Sequence, residues 1–296
     1  KMLLFALFVV CICRTDVEYR ILFDYFKDEY GVEYKNGIEE SNRFAVFKDN
    51  MNKVDDLNAL YYPTTEYGIT QFSDLTSEEF IDRYCKYVHH EREQNAEIWE
   101  PNPDYIDWRT KGAVSSVKNQ GQCGSCWDFS AVACCEGAWA IKHGSVPDLS
   151  EGQVLDCDTA DHGCNGGWMD TAFQYIISKG LQPLDSYPYV PRQASCKYDA
   201  SKATYKFTDF KDVAHDETQM LAALQQQPLS VAVDANAFQS YHGGLLTNCN
   251  GHSLNHGVTL VGFCSKSGSD AWIIKNSWGA SWGESGYVYV KYGVNC

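Results

Sequence analysis

The 296-residue chain lacks any hydrophobic run able to cross a bilayer. A spanning helix needs roughly 20 consecutive apolar residues, and the run at 2–13 falls short. Positive charge is scarce as well: 24 Lys and Arg stand against 39 Asp and Glu, a formal net charge of −15. So acidic a surface repels phosphate, which argues against nucleic acid as a partner. There is no Asn-x-Ser/Thr sequon, so a glycan-borne lysosomal address is not expected. Internal repeats and low-complexity tracts are missing too. With 44% hydrophobic and 21% charged residues, the composition excludes a disordered or collagen-like chain and provides for about two domains.

Cysteine, by contrast, is abundant. Thirteen are more than an ordinary cytosolic enzyme carries, and the odd count leaves at least one thiol unpaired if the rest form bridges. Lys1, the apolar run and Arg14 together have the make-up of a secretory signal peptide over residues 1–13, with a buried N-terminal strand or helix as the alternative. The first reading sends the protein into the secretory pathway, to a lysosome or vacuole or out of the cell, where disulfides persist.

Residues 14–101 form a charged, helical leading segment holding 20 acidic and 10 basic side chains. Val17, Tyr19, Ile21, Leu22, Tyr25 and Phe26 lie close to one helical stripe ending near Gly31. A second stripe runs through Phe44, Phe47, Met51, Val54, Leu57 and Asn58. Thr76-Ser-Glu-Glu-Phe80 reads as a capped short helix. Polar, Glu-rich residues 89–102 read as a cleavable linker.

From Asp104 onward, Gly, Cys and Trp become frequent. Residues 125–143 read as one helix, with Ser125 and Asp128 as a capping pair, Phe129, Val132, Ala133 and Trp139 facing inward, and Gly144 as the stop. Strands are expected at 229–233, 257–263, 271–274 and 286–290. A helix-led half thus precedes a β-rich half.

The chemistry concentrates in Asn119-Gln-Gly-Gln-Cys-Gly-Ser-Cys-Trp127. Cys123 and Cys126 are open to four readings: half a zinc site, a thioredoxin-type pair, an ordinary structural disulfide, or a reactive Cys126 on the first turn of a helix. There, unpaired N–H groups and the macrodipole favour a thiolate. Downstream, His256 opens an apolar strand and Asn276 ends one. A lone His beside a strand is more often structural, but Cys, His and Asn together supply nucleophile, base and the amide that fixes the base's tautomer.

These residues resemble the papain-like cysteine proteases, in their cathepsin L-like form: Cys-Gly-Ser-Cys-Trp at 123–127, with His256 and Asn276 following Cys126 by 130 and 150 residues. The leading segment resembles that family's inhibitory propeptide through Glu39-x3-Arg43-x3-Phe47-x2-Asn50-x3-Val54-x3-Asn58 and Gly68-Ile-Thr70-Gln-Phe72-Ser-Asp74. The resemblance implies an α+β, two-lobed fold over residues 102–296, with a helical lobe and a β-barrel-like lobe, preceded by a small helical propeptide over 14–101. It implies Cys126 as nucleophile, His256 as base, Asn276 as its orienting residue and Gln120 as oxyanion-hole amide, with Trp278 shielding the His–Asn bond. Gly167 would pair with substrate main chain, while Trp168, Met169, Ala232, Leu254 and Gly257 would wall an apolar pocket. Disulfides would join Cys123 to Cys164, Cys157 to Cys196, and Cys249 to Cys296. Cys134 and Cys135 would pack as small apolar residues, and Cys264 would be left over.

On the same resemblance the chain is a monomeric endopeptidase zymogen acting on proteins and peptides, without metal or organic cofactor. Its own propeptide is its intramolecular inhibitor, its linker runs through the cleft, and cleavage falls near Pro101–Asp104. No insertion with paired His between Gly167 and Ser195 points to exopeptidase activity. Two departures keep open a second reading, a catalytically impaired binding or inhibitory module. Asp128 stands where the family usually carries Ala, and the sequence stops at Cys296, where the family continues into the floor of the substrate pocket.

Overall fold

The computed structural model describes residues 14–88, 96–100, 102–249, 251 and 253–296. The expected signal segment 1–13, linker residues 89–95 and Pro101 beside the expected cleavage point lie outside the described residues.

Three helices build the leading unit. In α1 (Asp16–Tyr30), Thr15 and Glu18 form a reciprocal capping box, and Gly31 ends the helix in the left-handed conformation with φ 62°. Its buried line is Tyr19, Phe23 and Phe26, whereas Val17, Ile21 and Tyr25 face solvent. The expected stripe is therefore rotated: it omitted Phe23, whose ring lies 5.2 Å from Phe47 and sets the contact face. Helix α2 (Gly37–Tyr61) buries Phe44, Phe47, Asn50, Met51 and Val54. Each fully buried Phe removes enough apolar surface from water to contribute about 2–3 kcal/mol.

Asn50 is buried for a polar reason. Its Nδ2 donates to the carbonyls of Ser73 and Leu75, at 2.9 and 2.8 Å, and so holds loop 68–75 on α2. Arg43 reaches Glu79 with both guanidinium nitrogens, at 2.5 and 2.7 Å. Glu79 also closes the capping box of α3 (Ser77–Tyr84) with Thr76. The charged motif residues thus splice α2 to α3.

The region from residue 102 onward divides into a helical and a β-rich lobe, as its patterns foretell. Helices α4 (Cys126–His143), α5 (Glu151–Cys157) and α6 (Met169–Lys179) enclose one core, with Trp127, Val132, Leu149, Leu155 and Ile176 at its centre. The other lobe adds the short α7 (Glu217–Leu224) to a sheet. Its main strands are β3 (Leu229–Val233), β4 (Tyr241–Leu246), β5 (His256–Lys266), β6 (Ser269–Lys275) and β7 (Tyr287–Lys291). Two short strands, β1 (Thr65–Tyr67) and β2 (Ile106–Asp107), complete it in the order β1-β4-β7-β6-β5-β2, with β3 also on β5. That path has two unpaired ends, so the β lobe is an open sheet rather than the barrel-like lobe expected. One end, β1, belongs to the leading segment, which extends the lobe's sheet antiparallel to β4.

Candidate active site

Cys126 is the first residue of α4, and the loop before it is tied down by the Cys123–Cys164 disulfide. The expected Ser125–Asp128 cap is absent. Ser125 has φ −101° and ψ 18°, outside the extended geometry a side-chain cap requires, and its Oγ pairs with the Tyr189 hydroxyl at 2.8 Å. Asp128 turns inward instead: it is fully buried, and neither carboxyl oxygen has a hydrogen-bond partner. Burial pushes its pKa well up, so the neutral acid is favoured.

His256 opens β5, and Asn276 follows β6 directly. Strands β5 and β6 pair Thr259 with Lys275, which sets the two functional residues side by side. His256 Nε2 lies 2.8 Å from Asn276 Oδ1. Because Oδ1 also accepts the Ser277 N–H, it is the amide's oxygen that faces the ring, and Nε2 carries the proton. Nδ1 is buried without a partner and so keeps its lone pair free to act as a base. The Trp278 indole stacks on the imidazole, ring centroids 4.6 Å apart, and covers the His–Asn bond.

Gln120 is drawn to this group by pairing between the lobes: its N–H donates to the Ser277 carbonyl at 2.9 Å. Ser277 Oγ donates to Gln120 Oε1 at 2.6 Å, which turns Nε2 the other way, onto the carbonyls of Cys123 and Tyr84. The sequence offered no role for Ser277, although it stands inside the Asn-Ser-Trp motif. Nor did any signal mark Tyr189, whose hydroxyl bridges Ser125 to the Gln120 carbonyl.

The segment across the cleft is 84–88, upstream of the linker expected there. Gly167 donates to the Lys86 carbonyl at 3.2 Å and accepts from Val88 at 3.0 Å, and Tyr87 N–H donates to the Asn255 carbonyl at 2.9 Å. Only glycine fits at 167, since a Cβ there would lie 2.6 Å from the Trp127 indole. The described linker residues pair elsewhere: Glu97 bridges to Val213, and Trp99 accepts and donates through Gln219.

Tyr87 lines a cavity of about 1250 Å³ together with Trp168, Met169, Ala232 and Leu254. Gly257 stands apart from that wall. It packs beneath Met169, where an added Cβ would sit 3.2 Å from the sulfur. The other expected bridges, Cys157–Cys196 and Cys249–Cys296, are formed, and Cys134 and Cys135 are buried free thiols.

Burial under the docked segment sets the electrostatics. It pushes the Cys126 thiol up to about 11, opposed by backbone N–H groups of Gly257, Lys86 and Trp127 that face the sulfur. It lowers His256 to about 4, opposed by the Asn276 bond. Both groups are neutral in this state, so the thiolate–imidazolium pair is not formed.

Comparison with known proteins matches residues 102–296 to the papain family cysteine proteases and residues 23–80 to the cathepsin propeptide inhibitor domain. A cysteine proteinase of Trypanosoma brucei brucei is 40% identical over 91% of this chain, which spans 63% of that protein's length. Fruit bromelain of Ananas comosus is 39% identical over 92% of this chain and 81% of its own. Among solved structures, a recombinant stem bromelain precursor aligns with a TM-score of 0.84 at 40% identity, covering 94% of this chain and 93% of that one. The digestive procathepsin L 3 of Tenebrio molitor larval midgut gives 0.83 at 36% identity, over 94% and 95%. Cys126, His256 and Asn276 set between two lobes, with family matches over residues 102–296 and 23–80, place this chain in the papain family of cysteine proteases, with a cathepsin-type propeptide inhibitor domain ahead of the protease domain.

Proposed function

We propose that the chain is a self-inhibited endopeptidase zymogen in which Cys126 is the nucleophile. Once segment 84–88 leaves, water and substrate re-solvate the site, and His256 Nδ1 takes the Cys126 proton. The thiolate attacks the scissile carbonyl carbon, and the oxyanion is held by Gln120 Nε2 and the Cys126 N–H. His256 then returns its proton to the leaving amine, and water hydrolyses the acyl-enzyme. Asn276 keeps Nε2 protonated, so Nδ1 remains the basic nitrogen throughout.

The observation that carries this reading is the partner set of the docked segment. Its backbone occupies Gln120 Nε2 and both polar groups of Gly167, the groups a peptide substrate would use. Tyr87, which lines a cavity together with Trp168, Met169, Ala232 and Leu254, favours a hydrophobic or aromatic side chain two residues before the scissile bond. The disulfides fit the secretory pathway, with a lysosome, vacuole or the extracellular space as destination. Residues 14–101 would depart on maturation, with cleavage near residues 101–104, leaving a monomer.

The test is labelling with an epoxide peptide probe after incubation at about pH 4.5 with reductant. The zymogen should shed its leading segment and take a single label on Cys126, and Cys126→Ser should take none. Unlabelled Cys126 after removal of the propeptide by added protease would instead favour a binding module without catalysis. Cleavage of a peptide library with preference for Arg at the pocket position would overturn the apolar specificity.

A further inference from the structure

Five cysteines among the described residues are free: Cys85, Cys126, Cys134, Cys135 and Cys264. Cys85 has no part in proteolysis, yet it sits at the centre of the segment that covers the nucleophile. On one side of it the Tyr84 carbonyl is held by Gln120 Nε2 at 3.0 Å. On the other, the Lys86 carbonyl is held by the Gly167 N–H at 3.2 Å, and the Lys86 N–H faces the Cys126 sulfur. That nitrogen is two covalent bonds, about 2.4 Å, from the Cys85 Cα. Both cysteines are buried, at 3% and 0% exposure, with solvent excluded from the space around them.

Among the described residues, neither cysteine nearest to Cys126 in the sequence competes for it. Its sequence neighbour Cys123 is consumed by Cys164. Cys134 lies eight residues along α4, about 12 Å away at the helical rise. A disulfide needs Cα atoms within about 4.4–6.8 Å; Cys134 lies beyond that range, whereas residue 85 is held beside Cys126 by the Tyr84 and Lys86 bonds on either side of it.

We propose that the zymogen has a second, covalent form in which a Cys85–Cys126 disulfide locks the propeptide over the nucleophile. The bond forms by exchange with a low-molecular-weight disulfide such as oxidised glutathione. Cys126 attacks one glutathione sulfur and releases one glutathione thiol; Cys85 then attacks the Cys126 sulfur and releases the second. Two protein thiols are oxidised, one glutathione disulfide is reduced, and both protons end on glutathione. Buried thiols exchange slowly because the thiolate is disfavoured there, so the bond is made as the segment docks during folding. Acid alone loosens only the noncovalent zymogen; the locked form also requires reduction. The consequence for activity rests on the reading of Cys126 as nucleophile, whereas the bond itself does not.

The experiment uses the full zymogen, refolded in buffers of oxidised or reduced glutathione, trapped with an alkylating agent and peptide-mapped without reduction. Oxidised zymogen should yield the peptides of Cys85 and Cys126 joined, lighter by two hydrogens than the separate thiol peptides. Its maturation in acid without reductant should be slower by about tenfold or more than that of reduced zymogen. Cys85→Ser should remove the difference, maturing equally after either treatment. Cys126 carrying glutathione while Cys85 remains alkylatable would overturn the proposal. So would a Cys85→Ser zymogen that still needs reductant. A joined pair whose reduced, matured form takes no epoxide label would uphold the disulfide and overturn the nucleophile.

Discussion

Gln120 Nε2 donates to the backbone carbonyl of Tyr84 at 3.0 Å, so the amide expected to hold a developing oxyanion is already engaged by the propeptide. The inhibitor thereby uses a donor that catalysis also needs. Gln120→Ala should cut kcat of the matured enzyme by about 10²–10³-fold, with KM little changed, because the donor acts on charge that develops in the transition state. The same change should loosen propeptide docking modestly. Steady-state kinetics on peptide substrates checks the first effect, and hydrogen exchange at the Val88 amide the second. Equal losses in substrate binding and turnover would place Gln120 outside the oxyanion site.

Asp128 is a buried carboxyl without partners. Removing such a group relieves an unmet desolvation cost of about 1–3 kcal/mol, so Asp128→Ala should raise the melting temperature. The sign of the pH dependence follows from its raised pKa. The folded state holds the proton and the unfolded chain releases it above its ordinary value, so the wild type loses stability as pH rises from there. The variant's advantage should therefore grow between pH 4 and 7, as melting curves would show. Activity should follow the same course: near parity in acid, where the wild-type carboxyl is neutral, and a gain for the variant wherever it ionises beside the thiolate.

His256 links docking to pH. Its docked pKa is lowered to about 4 by burial, against an ordinary 6.5. The released state therefore takes up a proton that the docked state refuses, and docking weakens as pH falls through that interval, by up to about tenfold per unit. Protection of the Gly167 and Val88 amides in a Cys126→Ser zymogen reads this directly. Adding His256→Asn should flatten the slope across pH 4–6.5; an unchanged slope would assign it to other groups.

Glu79 acts in the same sense but at lower pH. Its hydrogen bonds to Arg43 hold its carboxyl down to about 2. The stability it contributes is present above its ordinary value and is lost only as pH falls through about 2. Acid of about pH 4.5 therefore leaves the Arg43–Glu79 pair intact. Glu79→Gln loses the ion pair and weakens the Thr76 cap, together about 1–2 kcal/mol at this part-exposed site. Its zymogen should mature faster than wild type at every pH from 4.5 to 7, measured by gel shift.

The candidate site residues and the division into leading segment, helical lobe and sheet lobe were legible in the chain because local chemistry writes them. Cys126 opens a helix, His256 opens a strand, and the Arg43, Phe47 and Asn50 spacing puts three motif residues on one helical face. Orientation was less legible. The stripe on α1 missed Phe23, since several apolar registers fit one helix and only the aromatic face of α2 selects among them. Ser125 and Asp128 have the spacing of a cap, but a hydroxyl from Tyr189, 64 residues away, outcompetes it.

The amino-acid sequence by itself determined which groups could react and which segment could restrain them, because nucleophile, base and caps are properties of residue type and short-range order. Only the tertiary structure decided that residues 84–88 lie on Gln120 and Gly167 in the cleft, and that Asp128 is buried unpaired. It also brought Cys85 to the nucleophile. Those outcomes depend on contacts between residues far apart in the chain, where packing and the exclusion of water, not local preference, set the free energy.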